Sequence, residues 1–282
     1  MLIGPVLSVN NNIINQSTVV FQMTLKKRLL FIIIQVQRYI FKIKFIPVFK
    51  GPLKGYKWST TYNYDYITGD YEDKVTMDTF CSWLKADTVF YDLGANVGYY
   101  AFIANLYISS GNIYSFEPMP ANIIVFNKHL QLNEKRMTNK RIELLPYAVS
   151  DKEKEVIFSN NETAIEGNTY VNSELHTRSS KDLVVKCFSV DGLLESGYLA
   201  PDVIKIDVEG AEYDVLRGAK GALKKYRPKI LLATHDCHLP GVQKLCVDFL
   251  QGLGYELKLL SNENKIMAGL DDYIAIHKEN NK

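Results

Sequence analysis

Residues 88–107 read TVFYDLGANVGYYAFIANLY, and this stretch decides the fold. The first six residues are mostly β-branched, aromatic or aliphatic, which predicts a short, buried parallel strand. The apolar residues 97–107 that follow predict a helix. Gly94 and Gly98 stand between the two elements, where the backbone has to turn sharply. The stretch therefore predicts a strand that passes directly into a helix.

The same order of strand and helix recurs along the chain. Further strands are predicted at residues 112–116, 141–149, 202–208 and 229–234, and helices at residues 120–132 and 209–226. Residues 255–260 and 273–277, joined by a polar loop, predict a terminal hairpin. This alternation predicts an α/β fold with a doubly wound, mostly parallel sheet and a C-terminal antiparallel hairpin strand.

Proline and glycine interrupt the chain repeatedly between residues 47 and 55, which is typical of a domain boundary. We therefore expect a basic, partly helical extension at residues 1–55 and a single domain at residues 56–282. Within that domain, residues 151–187 are polar and weakly patterned. They predict an insertion that carries a hairpin of its own.

The charge of the chain is unevenly distributed. Residues 1–64 hold nine Lys or Arg and no acidic residue, which leaves 24 basic and 31 acidic residues in the remainder. The first part therefore carries a charge of about +9 and the remainder about −7. Because the basic surplus lies mainly outside the predicted domain, the composition argues against a nucleic-acid-binding protein.

The basic segment at residues 26–44 mixes apolar side chains with Lys and Arg, and its longest uncharged stretch is nine residues. A membrane-spanning helix needs about 20 predominantly apolar residues, so the segment does not predict one. Two alternatives remain open. The segment is either a basic amphipathic helix on an anionic membrane or a helix packed against the domain.

The cysteines and the N-terminus bear on the compartment. Four widely spaced cysteines without a C-x-x-C pair predict reduced, buried thiols. The N-terminus lacks the layout of a signal peptide. We expect a cytoplasmic protein, with a peripheral contact at the inner membrane surface if the basic segment binds lipid.

A carboxylate follows the second predicted strand at Glu117, about 20 residues after the glycine turn. In doubly wound sheets a carboxylate at this place binds a ribose diol, and the ligand lies at the carboxyl ends of the strands. Nicotinamide dinucleotides require G-x-G-x-x-G for their pyrophosphate, whereas residues 94–98 read G-x-N-x-G. A nicotinamide-dependent oxidoreductase is thus the less favoured alternative, and S-adenosyl-L-methionine fits better.

Several motifs resemble the FkbM-like family of S-adenosylmethionine-dependent methyltransferases over residues 69–236. The matching blocks are Gly69–Glu72, Asp92–Tyr100, Phe116–Pro118, Ala148–Asp151 and, as the most specific, Ile204–Glu212. The resemblance implies a class I methyltransferase (Rossmann-like) fold and S-adenosyl-L-methionine as donor. It also implies O-methylation of a hydroxyl on a sugar, polysaccharide or small polar natural product. The chain departs from the family at Ala233-Thr234-His235, where the family pattern has an acid before the histidine.

The expected cofactor-binding residues come from two sources. Tyr71 and Glu72 are assigned on the family resemblance alone. The others belong to the glycine turn, the second strand and the fourth strand, namely Asp92, Gly94, Asn96, Gly98, Glu117 and Asp207. The expected partner is a small-molecule or glycan acceptor.

Methyl transfer to a hydroxyl requires alignment of the reacting atoms and removal of a proton. Asp207 is the leading candidate for the base, because side-chain alternation puts it on the same strand face as Lys205 and Glu209. His235, at the end of the next predicted strand, is a second candidate, and Glu209 a third. Alternatively these acids cap or favour a helix N-terminus, and the chain binds the cofactor without catalysis.

Two other clusters carry less specific signals. His235, Asp236, Cys237 and His238 are consecutive, so their side chains diverge at a strand end, and no metal site is predicted. The tyrosine-rich residues 56–71 could offer ring faces to a sugar. Aromatic side chains in such a position more often pack at the mouth of a domain.

Overall fold

The structure is a computed structural model that describes residues 25–39, 44–138, 141–158, 170–171, 183–260 and 269–281. The strands in these ranges are β1 (Phe45–Pro47), β2 (Lys57–Ser59), β3 (Val89–Leu93), β4 (Asn112–Phe116), β5 (Ile142–Leu145), β6 (Ala148–Val149), β7 (Lys154–Phe158), β8 (Tyr170–Val171), β9 (Leu183–Phe188), β10 (Val203–Ile206), β11 (Lys229–His235), β12 (Tyr255–Leu259) and β13 (Leu270–His277). The helices are α1 (Leu25–Tyr39), α2 (Asp65–Thr68), α3 (Lys74–Trp83), α4 (Tyr99–Tyr107), α5 (Pro120–Asn133), α6 (Val190–Glu195), α7 (Glu212–Gly218), α8 (Lys220–Tyr226) and α9 (Val242–Gly252).

The central sheet has seven strands in the order β12-β13-β11-β10-β3-β4-β5. Strands β5, β4, β3, β10 and β11 run parallel to one another, and β13 pairs antiparallel with both β11 and β12. Strand order reverses at β3, from which the chain proceeds to β4 on one side and later to β10 on the other. The predicted doubly wound sheet with its C-terminal antiparallel hairpin is confirmed.

Helices cover both faces of the sheet, because its strands are apolar on both sides. In β3, Phe90 packs into the core that contains α3, α4 and α5, while the next residue, Tyr91, packs into the core that contains α6 to α9. In β10, Val203 and Ile204 divide in the same way. Strands buried on both faces are expected in a parallel sheet between two helical layers.

Two predicted elements are interrupted. The strand predicted at residues 141–149 is divided at Pro146 into β5, which joins the central sheet, and β6, which pairs with β9 in a smaller sheet. Proline has no N–H to donate to a ladder, and the N–H of Tyr147 donates to the carbonyl of Leu145 in a tight turn. The helix predicted at residues 209–226 begins only at Glu212 and is broken after Gly218.

The smaller sheet has the order β6-β9-β7-β8 and contains the described part of the predicted insertion. Its β7 and β9 pair antiparallel. The remainder of the insertion, residues 159–169 and 172–182, lies outside the described residues. All four cysteines are free, but Cys237 is exposed, so the prediction of buried thiols is wrong for that residue.

Residues 45–55 contribute a strand and buried side chains to the domain, although they were expected to belong to the extension. Strand β1 pairs antiparallel with β2, and Ile46, Val48 and Leu53 are buried in the same core as α4. This pairing crosses the boundary expected at residue 55. Helix α1 buries Ile34 in that core as well. In the described part of the chain, no helix combines the length and hydropathy needed to cross a membrane.

Candidate active site

A cavity of about 210 Å³ opens at the carboxyl ends of β3, β4 and β10, where the strand order reverses. This is the place at which doubly wound sheets bind ligands. Predicted site residues contribute much of its wall, namely Tyr71, Gly94, Asn96, Glu117, Asp207 and Glu209. Asp92, Gly98, Glu72 and His235 are not part of this wall.

The glycine turn after β3 is locked against two neighbouring strands. The N–H groups of Gly94 and Ala95 both donate to the carbonyl of Phe116 at the end of β4, at 3.0 and 2.9 Å. A Cβ atom on Gly94 would lie 1.8 Å from the carbonyl oxygen of Asp207, and Gly94 has φ +79°. Glycine at this position is therefore required by the approach of β10 as well as by the turn itself.

Gly98 serves packing in the same loop. A Cβ atom there would lie 1.5 Å from the ring of Phe126, which belongs to α5. The close approach brings α5 against the first turn of α4, so Gly98 shapes the cavity without lining it. Between the two glycines, Asn96 has a positive φ of 49°, which is uncommon for a residue with a side chain.

Glu117 is a buried carboxylate held by the two loops around it. One oxygen accepts a hydrogen bond from the N–H of Asn96 at 2.8 Å. The other accepts from the N–H of Met119 at 2.8 Å and from the amide of Asn122 at 3.2 Å. Burial raises the pKa of Glu117 to about 6, against the opposing effect of these hydrogen bonds. The carboxylate is thus fixed in position at the cavity wall.

Lys205, in β10, organises the floor of the site. Its ammonium donates to the carbonyl of Gly94 at 2.8 Å and lies 3.2 Å from a carboxylate oxygen of Asp207 and 3.6 Å from one of Asp92. Asp92 is fully buried. Burial disfavours the charged lysine, but Asp207 and Asp92 outweigh this effect and raise the pKa of Lys205. The sequence pattern put Lys205 on the right strand face but gave it no role.

A second group of charges lies at the ends of β10 and β11, around His235. The Nδ1 atom of His235 is 2.7 Å from Glu212, which is fully buried in the first turn of α7. The Nε2 atom is 3.5 Å from an oxygen of Asp207 and 3.5 Å from an oxygen of Glu209. His238 stacks on His235 and lies 3.0 Å from Glu209. The three residues considered as bases are therefore brought together.

The pKa of Asp207 is lowered in this cluster, whereas the pKa values of Glu209 and His235 are raised. Burial favours neutral Asp207, but Lys205 and His235 outweigh it and hold its pKa below the usual value. Burial and the nearby Asp207 raise the pKa of Glu209 to about 7. Burial disfavours the imidazolium, but Glu212, Asp207 and Glu209 raise the pKa of His235 to about 9. The acids thus outnumber the cations that balance them.

Tyr71 and Glu72 share one cavity but not the other. Tyr71 lines both the main cavity and a smaller one of about 40 Å³, whereas Glu72 lines only the smaller one, with Lys205 and Asp207. Glu72 accepts a hydrogen bond of 2.5 Å from the hydroxyl of Tyr100, and burial raises its pKa to about 7. Glu72 therefore lies behind the wall of the main cavity.

The tyrosine-rich segment divides between packing and the cavity. Trp58 is fully buried and stacks on His129, and Tyr56 and Tyr62 are buried as well. Tyr66 and Tyr71 stack on each other with ring centroids 4.0 Å apart and line the cavity. Most of these rings form core, and two are placed where a ligand would meet them.

The sequence matches a known family and a curated protein. A family model described as the methyltransferase FkbM domain matches residues 92–257. The hexuronic acid methyltransferase AglP of Haloferax volcanii is 32% identical over 141 residues, which are 50% of this chain and 53% of that protein. The chain thus spans about half the length of this curated relative.

Among solved structures, methyltransferase FkbM from Methylobacillus flagellatus KT is similar in fold. The TM-score is 0.50 with 15% sequence identity, over 69% of this chain and 44% of that one. At this identity the likeness concerns the fold alone. The class I methyltransferase (Rossmann-like) fold that the motifs implied is confirmed.

The contact between Gly94 and Asp207 can be tested with two glycines that share a positive φ. Gly197 has φ +96°, and a Cβ atom added there would meet no other atom within 4 Å. Gly197→Ala therefore reports the cost of the backbone conformation, about 1–2 kcal/mol. Gly94→Ala should lower the free energy of unfolding by a further ~1–3 kcal/mol, because β10 must move. Urea denaturation of both variants measures the difference, and equal losses would mean that the contact yields without cost.

Proposed function

The chain belongs to the FkbM methyltransferase family, and from this premise we propose that it transfers a methyl group from S-adenosyl-L-methionine to an oxygen atom of a sugar. The observation that carries the proposal is the Glu117 carboxylate beside the Gly94 turn, at the point where the strand order reverses. This pairing distinguishes a nucleoside site from an ordinary strand-to-helix turn.

The residues at the cavity fit the cofactor. Three hydrogen bonds occupy three of the roughly four acceptor sites of the Glu117 carboxylate, and the oxygen that Asn96 contacts keeps one site for a ribose hydroxyl. The side-chain oxygen of Asn96 is buried, and no described residue hydrogen-bonds it. It is therefore available as an acceptor in the cavity wall. Tyr71, Gly94, Asn96 and Glu117 would hold the cofactor, with Asp92 fixing Lys205 below them and Asp207 on the side of the acceptor.

The bound cofactor supplies a methyl group on a sulfonium, whose sulfur leaves with the bonding electrons. The acceptor oxygen forms the new bond to carbon and loses its proton. As that bond forms, the hydroxyl becomes positively charged and strongly acidic, so a weak base is sufficient. Asp207 lies at the cavity wall with its side chain 29% exposed, and we assign it to receive this proton. Lys205 holds the carboxylate in place.

The proposed acceptor is a sugar, either as a small molecule or as part of a glycan. The related AglP is named for hexuronic acid, which offers hydroxyls and a carboxylate. We propose a hydroxyl, in keeping with the cluster of acids at the site, which would repel an uncompensated carboxylate. A carboxylate acceptor is the second candidate on the strength of the relative's name. It has no proton to lose and needs no base.

Glu117→Ala should weaken binding of S-adenosylhomocysteine, the demethylated product, by roughly tenfold to a hundredfold. Hydrogen bonds to a charged carboxylate are worth about 1.5–3 kcal/mol, which corresponds to that range. Isothermal titration calorimetry measures the affinity. Because the pKa of Glu117 is about 6, wild-type affinity should also fall as the pH drops below 6 and the carboxylate becomes protonated.

As a matched control, Glu143 is an acid on the neighbouring β5 that does not line the cavity. Glu143→Ala should leave the affinity unchanged. Unaltered binding in folded Glu117→Ala would remove Glu117 from the nucleoside site. It would also reopen the alternative of a different Rossmann ligand.

Asp207→Asn should lower the rate of methyl transfer to a hydroxyl by about two orders of magnitude or more, with cofactor affinity intact. Asparagine retains the size of the side chain but does not accept the proton. Single-turnover kinetics and calorimetry separate the two effects, and His235→Gln tests the second candidate base in parallel. Full activity in folded Asp207→Asn would favour the carboxylate acceptor. Wild-type binding of the cofactor without transfer to any sugar would favour a non-catalytic binding module.

We also propose that α1 makes a peripheral contact with anionic lipid. Leu29 and Ile32 on this helix are 60% and 55% exposed, in the part of the chain that carries nine basic residues and no acid before residue 65. Exposed apolar side chains on a basic helix are typical of helices that lie in a membrane interface. Such a contact is compatible with a cytoplasmic enzyme at the inner membrane surface.

Binding of the full chain to vesicles that contain phosphatidylserine tests this contact. It should weaken with added salt, since each basic residue near such a surface contributes about 1 kcal/mol. The double substitution of Leu29 and Ile32 by serine should reduce binding roughly tenfold or more. Ile124→Ser, on a 69% exposed residue of α5, is the matched control. Binding that is insensitive to both salt and the double substitution would contradict the proposal.

A further inference from the structure

Three side chains that commonly ligate metals converge at the ends of β10 and β11. Asp207, Glu209 and His235 each place one ligand atom within 4.8 Å of the other two. They come from two different strand ends, so the cluster is a product of the fold. Of the consecutive residues 235–238, only His235 belongs to the cluster.

The imidazole of His235 is held firmly on one side only. Its Nδ1 atom lies 2.7 Å from fully buried Glu212, which also accepts the N–H of Gly210 at 2.9 Å. Its Nε2 atom stands 3.5 Å from both remaining acids, longer than the 2.7–2.9 Å expected of a charge-assisted hydrogen bond. A histidine whose Nδ1 is fixed by a carboxylate while Nε2 faces other ligands has the orientation of a metal ligand.

The spacing of the three atoms suits an ion. Nε2 lies 3.5 Å from each carboxylate oxygen, and the three ligand atoms lie within 4.8 Å of one another. A point equidistant from the three atoms therefore lies about 2.0–2.4 Å from each, the range of nitrogen and oxygen bonds to divalent ions such as Zn²⁺, Mg²⁺ and Ca²⁺.

Charge and access agree with the spacing. Asp207, Glu209 and Glu212 surround the imidazole of His235, Lys205 contacts only the first of them, and His238 contacts only Glu209. The side chains of Asp207 and Glu209 are 29% and 34% exposed and line the main cavity. We infer that Asp207, Glu209 and His235 bind one divalent cation, with Glu212 positioning the histidine. No metal site was predicted from the sequence, and the inference departs from that expectation.

The role of the ion rests on the proposed function. Three protein ligands leave coordination positions open toward the cavity, where two neighbouring oxygens of a sugar could complete the shell. A divalent ion there would lower the pKa of a hydroxyl that it coordinates, and the proton would pass to water or to the Asp207 oxygen that does not ligate the ion. The ion would also offset the acids that otherwise repel a carboxylated sugar.

The test is a titration of the full chain, freed of metal by chelation and dialysis, with Mn²⁺ and without cofactor. Electron paramagnetic resonance of free Mn²⁺ should show one saturable site per chain. His235→Gln and Glu209→Gln should each weaken it by at least about tenfold. Asp236→Asn is the matched control, because its carboxylate accepts the N–H of Gln243 and lies outside the three ligands. It should bind as wild type does.

The inference would be overturned if wild type showed no saturable binding of Mn²⁺. It would also be overturned if folded His235→Gln and Glu209→Gln bound Mn²⁺ with the affinity of wild type. Circular dichroism identifies a variant that fails to fold, and the two substitutions provide independent routes to the answer. Calorimetry with S-adenosylhomocysteine keeps the two proposals apart. If the chain binds S-adenosylhomocysteine but does not bind Mn²⁺, only the metal site is overturned. If it binds Mn²⁺ but does not bind S-adenosylhomocysteine, the proposed function is overturned and the metal site is supported.

Discussion

The site depends on one buried ion-pair network, in which the ammonium of Lys205 joins β3 to β10. It contacts Asp92, Asp207 and the carbonyl of Gly94, and so ties the glycine turn to the end of the neighbouring strand. Removing one member of a buried network leaves the others without compensation, which costs about 3–5 kcal/mol. The network thus keeps the turn, the cavity floor and the proposed base in one arrangement.

The Lys205 network connects two parts of the site, one toward β4 and one toward β11. Toward β4, the turn positions Asn96, whose N–H holds the buried Glu117 at the proposed nucleoside end of the cavity. Toward β11, Asp207 meets His235 and Glu209, so the proposed acceptor end is rich in acids. The Glu117 carboxylate and the pair Asp207 and Glu209 therefore line different parts of one cavity. This division suits transfer from a nucleoside to a polar molecule.

The order of strands and helices, the glycine turn and Glu117 were predictable because each has a local signal in the sequence. Pro146 was also visible, yet the strand around it was predicted as continuous, because apolar composition outweighed one missing N–H donor. The role of Lys205 was out of reach, since it arises from the register that puts Lys205 beside Asp92 on a neighbouring strand. The link between Glu212 and His235 likewise requires α7 to pack against β11.

The proposed reaction is transfer of a methyl group from the nucleoside cofactor to a sugar oxygen. The most direct measurement uses S-adenosylmethionine with a deuterated methyl group, the purified full chain and oligosaccharides with and without hexuronic acid, followed by mass spectrometry. We expect a labelled methyl ether that resists mild alkali and whose formation S-adenosylhomocysteine inhibits. Binding of S-adenosylhomocysteine with no label in any sugar would contradict it.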